Sequence, residues 1–99
     1  MPLPKFLQSV LWSYDLSKMS SNNPKDRDLI ITQVLNHGDM KQLNWLTKTY
    51  SRKEIEDVVK KPQRGMWFGR ILDYWLNILQ VKLPKETYQK AILNVNPQF

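Results

Sequence analysis

The stretch Gly38–Gly65, GDMKQLNWLTKTYSRKEIEDVVKKPQRG, decides how this chain folds. Asp39 is a residue whose carboxylate accepts from the free N–H groups of a helix's first turn. Met40, Leu43, Leu46 and Tyr50 follow at helical spacing and predict a helix from 40 to about 49. Ser51-Arg52-Lys53-Glu54 is a capping box, in which serine takes one free N–H and glutamate reaches back to another. It predicts a second helix to about Lys61, with Ile55, Val58 and Val59 facing inward. Pro62-Gln63-Arg64-Gly65 ends that helix. Two short helices on a Thr49-Tyr50-Ser51 turn make a unit of helix–turn–helix size.

Upstream, Leu3, Phe6, Leu7, Val10, Leu11 and Tyr14 fall on one helical stripe and predict a helix over 4–14, with Trp12 off the stripe. Asn23-Pro24 joins a good N-cap to a good first helical residue. The helix it starts carries Leu29, Ile30, Ile31, Val34 and Leu35 on more than one face, so it should be the most buried. Asn36-His37-Gly38 should end it, with Gly38 at positive φ and His37 near the last carbonyls. Downstream, Phe68, Ile71, Leu72, Trp75, Ile78 and Leu79 predict a helix over 66–80. After the break at Lys82-Leu83-Pro84, Tyr88, Ala91, Ile92 and Val95 predict a last helix over 84–95. No alternating strand pattern competes. The expectation is one all-α domain over 1–99, a bundle of five to six short helices.

Composition narrows the chemistry. With no cysteine and a single histidine, His37, thiol catalysis, cysteine-ligated metals and ordinary zinc hydrolysis drop out. The three glycines do not form a phosphate loop. Most carboxylates sit at first-turn or solvent-facing positions, where capping explains them. The chain is therefore expected to be no enzyme and to need no cofactor or metal. No apolar run nears the roughly 20 residues of a spanning helix, and Met1–Lys5 lacks the layout of a secretory signal. A cytoplasmic protein is the expectation.

The net charge is +6. A basic domain favours polyanions, because each neutralised phosphate releases counterions. Arg52, Lys53, Lys60, Lys61 and Arg64 fall on or beside the second helix of the unit and are the candidate DNA contacts. A second frame makes that helix the scaffold and the 66–80 helix the reader, with Trp67 and Arg70 outward at its start. Glu54, Glu56 and Asp57 on the same helix would repel phosphates, so a plain solvated charged face is the competing reading. Trp12, Trp45 and Trp67 lie off their helices' main stripes. Each is either a lid over the core or an anchor for a protein partner.

Several segments also carry a family resemblance: Pro4–Leu7, Leu11-Trp12-Ser13-Tyr14-Asp15, Arg27–Ile31, Val34–Asp39, Trp45–Tyr50, Ile55–Val59 and Tyr74-Trp75-Leu76. Over roughly residues 3–80 the chain resembles small prokaryotic helical domains of unknown function. Their genes often lie beside genes for nucleotidyltransferase-like toxins of the abortive-infection type. The family often has glycine after the tyrosine, where this chain has Ser51. The resemblance implies an antitoxin-like protein that represses its own operon, with double-stranded DNA and a cognate toxin as partners and a homodimer compatible with both. The alternative is a protein-binding module that neutralises its partner without touching DNA.

Overall fold

Asn23 opens the first long helix as its sequence suggests. In the computed structural model, which describes residues 3–12 and 14–92, its side chain accepts from the backbone N–H of Lys25 and Asp26. The helix, α1, spans Pro24–His37. Every residue from Ile30 to Asn36 is buried, so α1 is the centre of the molecule. Two of its buried polar groups bond one turn back: Thr32 Oγ1 donates to Asp28 O, and Asn36 Nδ2 to Thr32 O. Gly38 departs from the expectation, with φ of −78°. Space is what demands glycine there, since a Cβ would stand 2.6 Å from the Val34 carbonyl oxygen.

α2 (Met40–Thr49) and α3 (Arg52–Lys60) each begin with a complete capping box, Asp39 with Gln42 and Ser51 with Glu54. Each such cap contributes about 1 kcal/mol. Between them Tyr50 and Ser51 are both extended, so one helix stops and the next starts within two residues. α1 packs against both. Met40, expected on the apolar side of α2, is exposed. α4 (Gly69–Leu79) packs on α3, and α5 (Lys85–Ala91) follows the Leu83-Pro84 break. Among the described residues the architecture is all-helical: five α-helices and two short 3-10 helices, without a strand.

The N-terminal segment keeps four of its six expected inward residues, with Phe6 only partly buried and Tyr14 exposed, and it does not keep its expected helix type. Leu3, Leu7, Val10 and Leu11 are buried, yet only Lys5–Ser9 is helical, as a 3-10 helix. Glutamine amides occupy carbonyls that an α-helix would have bonded to its own N–H groups. Gln42 Nε2 donates to Phe6 O (2.6 Å), Gln33 Nε2 to Val10 O (2.9 Å) and Gln8 Nε2 to Leu11 O (2.7 Å). A second 3-10 turn, Leu16–Lys18, is capped by Asp15, whose carboxyl the Ser17 hydroxyl and N–H hold below its ordinary pKa.

The chain between α3 and α4 also corrects the sequence reading. Met66–Phe68 is not the start of α4. Trp67 is extended and bridges in parallel to Ile92, with Gly65 N donating to Lys90 O and Trp67 N to Ala91 O. Phe68 N donates to Asn36 Oδ1, which fixes the start of α4 against the end of α1. Ile92 is accordingly extended rather than helical. The part of the expected last helix beyond it, Val95 included, lies outside the described residues.

Candidate nucleic-acid interface

α3 owes its two faces to simple periodicity. Ile55, Val58 and Val59 are buried, while Lys53, Asp57 and Lys60, at i, i+4 and i+7, form one exposed row. Lys61 caps the helix, and Arg64 stands in the turn beyond Pro62. There Gly65 takes φ of +72°, a left-handed conformation that glycine adopts without the penalty of a Cβ. Four cations and one carboxylate are thus strung along α3 and the turn after it. Among the described residues Lys53, Lys60, Lys61 and Arg64 have no ion-pair partner.

Arg52 differs from these four. It pairs with Glu56 one turn on, at 3.4 Å, and both groups lie at the surface or partly so. Such a pair contributes little, about 0–1 kcal/mol. Arg27 is a cation that sequence reasoning missed. It lies near the start of α1, held by Asp28 at 3.0 Å and Glu54 at 3.9 Å. With Asp57, Lys60 and Lys61 it lines a polar cleft of about 370 Å³ between α1 and α3. The relevant contact, Arg27 to Glu54, links residues 27 apart, so no local motif could have revealed it.

The second reading frame is overturned by the chain between α3 and α4. Eight residues separate α3 from α4, and Trp67, near the end of that connection, is bridged to Ile92. Arg70 is exposed on the first turn of α4, as expected, but α4 is not the second helix of a tight turn. Trp67 is fully buried, so it has no surface to offer a partner or a nucleic acid. Trp45 is a half-buried lid, edge-on to Phe6 at 6.5 Å and to Tyr50 at 6.1 Å.

Trp12 alone of the three tryptophan candidates is broadly exposed, at 60%. It stands edge-on to His37 (5.2 Å), which in turn stands edge-on to Phe68 (5.2 Å). Phe68 was expected in the core and is 40% exposed instead, because its extended backbone points it away from the α4 stripe. Partial burial lowers the His37 pKa, since desolvation disfavours the imidazolium. Ile78, also expected inside, is 48% exposed. Among the described residues no group of three or more histidine or carboxylate side chains is placed to hold a metal, and no helix is long and apolar enough to cross a membrane.

No curated protein and no solved structure matches this chain. A family model does match, over residues 6–59, a shorter span than the 3–80 of the expected resemblance. The match runs from the N-terminal 3-10 helix to the end of α3 and stops before Lys60, Lys61, Arg64, α4 and α5. It covers more than half of the chain, and the chain belongs to the DUF6922 family, a family of unknown function.

Proposed function

We propose that the chain binds double-stranded DNA through the outward row of α3 and the turn that follows it, as an antitoxin-like repressor of its own operon would. The observation that carries this reading is that Lys53, Lys60, Lys61 and Arg64 lie on or just beyond the second helix of a two-residue interhelical turn, with no ion-pair partner among the described residues. α3 has nine residues, roughly 13 Å, which suits a major groove about 12 Å wide. In that pose Arg52 and Lys53 reach base edges from the first turn, where the helix dipole also favours a nearby phosphate. Lys60, Lys61 and Arg64 lie a turn or more away and neutralise backbone phosphates. Arg70 is the candidate contact from α4.

Fluorescence anisotropy with duplex DNA over a salt series tests the reading. Changing Lys60, Lys61 and Arg64 together to alanine should lower the slope of log K against log salt by about two to three. Affinity too weak to measure near 50 mM salt would exclude DNA as the partner.

One observation favours a second reading, a protein-binding module that neutralises a toxin. Trp12, His37 and Phe68 form an exposed aromatic cluster, and tryptophan dominates many interface hot spots. On this reading Trp12→Ala weakens toxin binding at least about tenfold, and the triple lysine–arginine change leaves it intact.

A further inference from the structure

A groove of about 300 Å³ opens where α1, α2, α3 and α4 meet. Leu35, Leu43, Ile55, Trp75 and Ile78 are among its walls, and Arg52 supplies the one charged side chain of its lining. The apolar surface does not end at the groove. Ile78 is about half exposed, and Tyr74, one turn earlier on α4, is more exposed still and packs edge-on against Trp75 at 5.3 Å. Tyr74 and Ile78 therefore form an apolar ridge along α4 that continues the groove outward. Apolar surface left open beside a groove can be buried by the apolar face of a partner.

We infer that this groove and ridge receive the apolar face of an acidic amphipathic helix from a partner protein. Shape and charge together select that occupant. Apolar side chains spaced three and four apart on a guest helix would enter the groove and lie along the Tyr74–Ile78 ridge. Arg52 at the rim is 66% exposed and is held by one carboxylate contact of 3.4 Å, an interaction weak enough to be exchanged for a guest carboxylate. The chain's charge of +6 draws an acidic guest and repels a second copy of itself. The surface is distinct from the aromatic cluster around Trp12, and the inference stands whether or not the chain binds DNA.

The probe is a synthetic 18-residue helical peptide with leucine at alternating three- and four-residue spacing and glutamate elsewhere, roughly five turns. Its control carries lysine for every glutamate. Titrated into the isotope-labelled chain, the acidic peptide should shift the Ile55 and Ile78 methyl signals and the Trp75 indole signal. The lysine peptide should not. Ile78→Glu should weaken the acidic peptide at least about tenfold. Arg52→Glu removes no buried group, so it keeps the fold, and it should reverse the preference in favour of the lysine peptide. The triple change at Lys60, Lys61 and Arg64 should leave peptide affinity within about twofold, because Arg52 is the one residue that this surface shares with the DNA face. Absence of groove shifts at about 1 mM acidic peptide would overturn the inference. So would equal binding of both peptides, decanoate filling the groove while the peptide does not, or the same shifts arising on self-dilution.

Discussion

The segment from Leu3 to Lys60 and the segment from Lys61 to Ile92 are built by different rules. In the first, each α-helix is started by a side chain beside it in sequence: Asn23, Asp39 and Ser51 all accept from the first turn they precede. In the second, neither Phe68 before α4 nor Pro84 before α5 makes a side-chain cap. Those helices are set in place by distant partners, through backbone bonds from Gly65 to Lys90 and from Trp67 to Ala91 and through Phe68 N–H to the Asn36 side-chain oxygen. One half is self-starting and the other is docked. The family match stops at Val59, on the boundary between them. The comparison breaks most readily at Trp67, the largest fully buried side chain. Trp67→Ala should cost about 3–5 kcal/mol in urea unfolding. Trp12→Ala, at the exposed site, should cost no more than about 0.5 kcal/mol. Similar costs for the two would mean that the C-terminal half is not docked through Trp67.

Asn36 joins the halves, and its loss is the next largest effect expected. Its amide donates to Thr32 O inside α1, and its oxygen accepts Phe68 N–H at the start of α4. Asn36→Ala should cost about 1–3 kcal/mol, because it strands a partly buried N–H as well as removing a bond. Hydrogen exchange should locate the damage. Protection should fall at Phe68 and Trp67 first, while α2 and α3 keep theirs. Uniform loss across both halves would show one cooperative unit with no internal boundary.

The same division explains how much was legible in the sequence. The ends of α1, α2 and α3 follow from Asn23-Pro24, Asp39 and the Ser51–Glu54 box because the partners are within three residues. The apolar period of α3 gave the right inward face, and that of the Leu3–Tyr14 stripe did so as far as Leu11, beyond which Tyr14 is exposed. Met66–Phe68 misled because Phe68 continues the period of α4, whereas its backbone is captured by Asn36, 32 residues away. The 3-10 geometry near Phe6 depends on Gln33 and Gln42, again distant in sequence. For the candidate DNA face, Lys53, Lys60, Lys61 and Arg64 could be read from helical spacing, but Arg27 and the pairing of Arg52 could not. Ser51→Ala tests the local rule directly. It should cost about 1 kcal/mol and leave exchange protection at Trp67 unchanged.

Tyr50 sharpens the comparison from the other side, because it is a distant tie within the self-starting half. Its ring is buried, and its hydroxyl donates to Ser21 O across 29 residues. Burial, reinforced by the nearby Glu54 carboxylate, pushes the phenol up to about 12, against an ordinary value near 10; Arg27 pulls partly the other way. The folded state therefore holds its proton over a range where the unfolded chain has released it. Stability from this group is fully present below about pH 10 and is lost as pH climbs toward 12. Tyr50→Phe should cost about 0.5–1.5 kcal/mol at neutral pH for the missing hydrogen bond and should flatten the decline between pH 10 and 12. If the variant declines as steeply as the parent chain, the alkaline loss belongs to other groups. Local caps would then suffice for the first half, and the Ser20–Asn23 loop would be held by Asp26, whose carboxylate accepts Ser20 N–H, instead of by Tyr50.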